Sequence, residues 1–185
     1  MKALILSAAL VALCLALQPA AETDPVVHVL LQLPLLALAG GIAARRIDLP
    51  AGYAAAALIV ALVAIAFWML PRSIDAALTD WRMGAVKFVS VPLLIGAPLS
   101  ACWRHLHPVL RGFLKAQAIS MLCVLGFLYT HAPLRICNAY LVNDQERLGV
   151  GFLIVAAALA IVWSIPVLFG APSPSTEKPA RWQTA

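Results

Sequence analysis

The chain has 185 residues and a net charge of +5; 63% of its residues are hydrophobic, only 11% are charged, and the mean hydropathy is +0.95. Soluble domains carry about 25% charged residues, so a water-soluble globular fold is excluded. The basic residues are scattered among the connections with no basic stripe, which excludes nucleic acid as a partner.

The apolar residues come in blocks. Residues 3–21, 26–44, 49–71, 88–134 and 148–176 are free of charge, apart from a short basic interruption in the fourth. Most of these blocks reach the roughly 20 helical residues that cross a hydrocarbon core. None alternates with a period of two, so a barrel is excluded and helices must satisfy the backbone. The expected fold is all-α, a polytopic membrane bundle of five to six transmembrane helices with a short interfacial helix.

Lys2 followed by apolar residues 3–17 has the form of a secretory signal. Fifteen helical residues rise only about 22 Å, and Pro19-Ala20-Ala21 is a weak cleavage motif. Residues 1–21 therefore read either as a signal peptide or as a first transmembrane helix, ahead of a helical membrane domain over 22–170. Asp24-Pro25 marks a helix start, a capping residue followed by proline. That helix runs to Ala44 and stops at Arg45-Arg46. Asp48-Leu49-Pro50 opens the next span, which closes with Phe67-Trp68 at interfacial depth. Over 71–82, Ile74, Leu78 and Trp81 fall at i, i+4 and i+7, the pattern of a short helix lying in the interface. A span over about 85–103 follows, with Lys87 snorkelling outward and Pro92 and Pro98 introducing a kink. Two more spans are expected over 113–131 and 148–169. Asn143 and Glu146, three residues apart before Leu148, form a capping box. Residues 171–185 are a disordered polar tail.

Charge bias sets the orientation. Lys2, Arg45, Arg46, Arg104, Arg111, Lys115, Lys178 and Arg181 fall on one side, eight of the 13 basic residues, against Asp48 and Glu177 alone. That side is cytoplasmic by the positive-inside rule, and so is the C-terminus. The expected location is a bacterial-type inner membrane, with 135–147, 71–87 and 24–28 facing outward.

Side chains capable of chemistry concentrate on that outer side. His28 lies one turn into its helix with Gln32 on the same face, and His131 ends a span at the same depth. Cys137 follows in the adjoining loop, and Met69 lies level with them. Imidazole, thiolate and thioether suit copper, so His28, His131, Cys137 and Met69 are candidate metal ligands. Asp75, Asn138, Asp144 and Gln145 make up a further external polar site. The four cysteines, Cys14, Cys102, Cys123 and Cys137, show no C-x-x-C or zinc spacing. His105-x-His107 reads as a solvated loop on the opposite side.

Three stretches occur in a telling order: His28 at the outer start of a helix containing Pro34, then residues 67–75 reading FWMLPRSID, then Asn143-Asp144-Gln145. Together they resemble the CtaG-like membrane proteins associated with assembly of caa3-type cytochrome oxidases. The resemblance covers roughly 26–170 and departs in two places. Gln32 stands where that family tends to carry a second histidine, and Glu146 follows where a second glutamine is usual. The resemblance implies a non-enzymatic factor assisting assembly of a respiratory oxidase, with lipid and oxidase subunits as partners and copper handled at the outer face. Two other classes fit the same residues: a small haem or quinone electron-transfer protein using His28 and His131, and a ligand-free accessory subunit.

Overall fold

The computed structural model describes residues 2–131 and 142–170, and every regular element in them is helical. In chain order these are α1 (Lys2–Ala16), α2 (Gln18–Thr23), α3 (Val26–Arg46), α4 (Ala51–Trp68), α5 (Pro71–Thr79), α6 (Trp81–Trp103), α7 (Pro108–His131) and α8 (Val142–Leu168). The helices α3, α4, α6, α7 and α8 are long and apolar enough to cross a membrane. The protein is an all-α helical bundle of the multi-pass membrane type.

Prolines shape α3 and α6. Each contains a π-helical stretch, Val26–Gln32 in α3 and Val91–Gly96 in α6, followed within two residues by Pro34 or Pro98. A proline offers no N–H and crowds the carbonyl four residues back, so widening the turn gives that carbonyl room. The amides of Leu33 and Ala97 then reach the carbonyls of His28 and Pro92, five residues earlier. At Pro92 and Pro98, where the sequence predicts a kink, α6 carries this π-helical stretch.

The two π-containing helices pack parallel, backbone against backbone. A Cβ on Gly40 would collide with the Pro92 carbonyl, and one on Gly96 with the Ala37 carbonyl. Ser100 Oγ donates to the Gly41 carbonyl at 3.0 Å along the same seam. Small residues that allow such approach are the usual means of joining helices in lipid, where apolar surface alone gives no preference. Helix α1 lies antiparallel along the other side of α3, with Ser7 Oγ donating to the Ala39 carbonyl at 2.8 Å and Cys14 fully buried. The N-terminal apolar segment is thus packed into the bundle.

Helices α7 and α8 form an antiparallel hairpin closed through Gly126 and Gly149. It joins the rest at one end, where Tyr129 of α7 and Leu148 and Phe152 of α8 share a core with Val29 of α3 and Ile74 of α5. Two expectations about local structure are corrected. Trp81 does not lie on the apolar face of the interfacial helix: α5 ends at Thr79, Asp80 Oδ1 caps the next helix by accepting from the Arg82 amide at 2.9 Å, and Trp81 is 78% exposed. Asn143 is not a cap either, because α8 already begins at Val142.

Candidate functional site

Lys87 enters at the second turn of α6, in a position from which a long side chain could reach the headgroups. It does the opposite. Lys87 is fully buried, as are Gln32 and Cys14, and His28 retains 1% of its exposure. This corrects the expectation that Lys87 snorkels: its ammonium points into the bundle.

Three acceptors receive it. Lys87 Nζ donates to Gln32 Oε1 at 2.7 Å and to Gln18 Oε1 at 3.2 Å, and lies 3.3 Å from His28 Nε2. An ammonium has three protons and no acceptor site, so each proton finds one partner when His28 holds its own proton on Nδ1. The Gln32 amide nitrogen donates to the Cys14 carbonyl at 2.9 Å and to Gln18 Oε1 at 3.0 Å. The Cys14 thiol lies 3.8 Å from the Gln32 carbonyl. One turn further along α6, Ser90 Oγ accepts from the Trp68 indole at 3.1 Å. The cluster therefore ties α1, α2, α3 and α6 together around one positive charge. Among the described residues no carboxylate forms an ion pair with Lys87.

The local sequence explains why these groups converge. The spacing from His28 to Gln32, within one π-helical stretch, sets both side chains against Lys87 of α6. Asp24 fixes the start of α3, its Oδ1 accepting from the Val26 amide at 2.8 Å while its other oxygen lies 3.5 Å from Arg147 Nη2. Gln18 arrives from the short helix that turns the chain from α1 into α3.

The candidate metal ligands are distributed otherwise. His28 sits beside an ammonium and an amide, and a cation at its Nε2 would face the charge of Lys87. His131 is exposed at the end of α7, its ring stacked on Phe127 at 4.2 Å and its Nδ1 within 2.8 Å of Thr130 Oγ1. Met69 packs against the core formed by Cys14, Trp68 and Val91. Cys137 and Asn138 lie outside the described residues. Among the described residues no three His, Cys, Asp or Glu side chains gather closely enough for a metal ion. The groups around His28 are hard amides and a fixed cation, which do not fit a soft cuprous ion.

The described parts of the stretches expected to face outward adjoin one another. Ile74 and Leu78 of α5 pack in the same core as Leu148 and Phe152 of α8, which sets Asp75 and Asp144 on adjoining elements at one end of the bundle. Arg147 lies between Asp24 and Asp144, at 3.5 and 3.8 Å, and Gln145 is buried. Reading residues one at a time missed Lys87 and Gln18. A signal was present: an amide within an apolar helix, on the same face as a histidine, needs a polar partner. Comparison of the chain with family models, with curated proteins and with solved structures gives no match.

Proposed function

We propose that the protein is a non-enzymatic, multi-pass factor that assists assembly of a respiratory cytochrome oxidase in a bacterial-type inner membrane, acting through the Asp24 end of the bundle. The observation that supports this is convergence. Val29 of α3, Ile74 of α5 and Leu148 of α8 share one core, and Arg147 pairs Asp24, just before α3, with Asp144 of α8; these elements carry the three stretches on which the resemblance to CtaG-like proteins rests.

The test is oxidase assembly in cells lacking the chain. Loss of spectrally detectable oxidase, restored by the unmodified chain and not by Asp75→Lys/Asp144→Lys, supports the reading. Fully assembled oxidase without the chain sinks it. Copper handling is the narrower form, and for His28 to take part the Lys87 ammonium must leave it. Copper retained under reducing conditions, and lost in His131→Ala and Cys137→Ser, supports that form. A copper-free chain under copper-replete conditions removes copper and leaves the assembly role standing on its own test.

A further inference from the structure

A groove of about 750 Å³ runs between α4 and the α7–α8 hairpin. Its walls are apolar, with Leu62, Ile65, Met121 and Leu125 along its length. It follows α4 from Leu58 to the helix end at Trp68, about 15 Å, with Met69 and Leu70 just beyond. That matches the roughly 15 Å of one leaflet of hydrocarbon. Its chemistry changes at the end where α7 begins. Lys115 and Gln117 are there, and Lys115 Nζ lies over the ring of Trp163 at 5.5 Å.

That mouth carries uncompensated positive charge. Among the described residues Lys115 has no carboxylate partner, and neither has Arg111, one turn earlier on the same face of α7. Arg111 uses Nε and one Nη on the carbonyls of Leu106 and Arg104, at 3.0 and 2.9 Å, which leaves donors free to meet an anion. Nearby Arg104 is already matched by Asp48 at 2.9 Å.

We infer that this groove binds one anionic phospholipid, its acyl chain lying between α4 and α7 and its phosphate meeting Lys115 and Arg111. A partner helix fits less well, because the walls are bulky, whereas helix–helix contacts in lipid favour small residues. A neutral isoprenoid matches the walls but leaves both charges unmet.

Native mass spectrometry of the full chain, released from detergent with equal phosphatidylglycerol and phosphatidylcholine, tests this. One lipid per chain is expected, with phosphatidylglycerol favoured roughly thirtyfold, the effect of two cationic side chains near a headgroup. Lys115→Gln/Arg111→Gln should bring the ratio near one, and Lys115→Arg should preserve it. Ala118→Trp, which fills the groove, should remove the lipid of either kind. Should that variant not fold, competition by dodecyl phosphate against dodecyl maltoside replaces it, the phosphate being expected to displace the lipid. Equal retention of the two lipids, a preference unchanged without both charges, lipid retained in a folded Ala118→Trp, or a dimer in place of the lipid adduct would each overturn the inference. None of these outcomes bears on oxidase assembly.

Discussion

Lys87 and Gln32 illustrate how differently two halves of one buried contact respond to removal. Taking away the acceptor leaves an ammonium short of one partner in a low-dielectric interior, and a hydrogen bond to a charged group is worth about 1.5–3 kcal/mol, more when the buried charge is left short of partners. Replacing the lysine by an apolar chain of similar length removes the charge and leaves neutral acceptors unpaired, about 1–3 kcal/mol. Gln32→Leu is therefore expected to lower the unfolding temperature in detergent further than Lys87→Met, and the double variant should recover part of the Gln32→Leu loss. Additive losses would show that the two side chains do not share one network. The Arg147–Asp24 pair is a different case. With 64% and 30% of the side chains exposed, Arg147→Gln should shift stability by less than about 1 kcal/mol.

At the scale of elements, the sequence announced the spans more clearly than their seams. Charge-free blocks separated by Arg45-Arg46, Asp48 and Asp80 bound the helices to within a few residues, because charged side chains are costly in hydrocarbon wherever they stand. The seams depend on which faces meet. Nothing local distinguishes Gly40 and Gly96, where backbones touch, from Gly52, around which a Cβ would meet no atom within 4 Å. Likewise Lys87 stands 69 residues from Gln18 and 55 from Gln32, so its burial is a property of assembled helices, and its place near a span end invited the opposite reading. Gly96→Leu should abolish the detergent-stable monomer seen by size-exclusion chromatography, since the obstruction is backbone and cannot rotate away. Gly52→Ala should elute as the unmodified chain does. A chain lacking residues 2–21 loses Gln18 and the Cys14 carbonyl from the cluster, and should accumulate poorly; Lys87→Met in that background should restore part of the yield.

For the whole molecule, the alternation of spans puts His131, Asp24, Asp75 and Asp144 at one end and Arg46, Arg104 and Lys115 at the other. Cysteines at Thr79 and Glu146, with Cys137 replaced by serine, should react with an impermeant thiol reagent in intact spheroplasts. A cysteine at His105 should react only after permeabilisation. The reverse pattern would invert the expected topology.

The placement of Lys87 also constrains biosynthesis. A lysine within a membrane helix raises the free energy of insertion by about 3 kcal/mol, and α6 must carry one into the bilayer. The groups that receive it, Gln18, His28 and Gln32, all belong to helices made earlier. When α6 leaves the ribosome the helices that carry its acceptors have already been synthesised, so the lysine has partners to meet on insertion. In a chain rearranged so that α6 were synthesised first, the same charge would meet bare lipid.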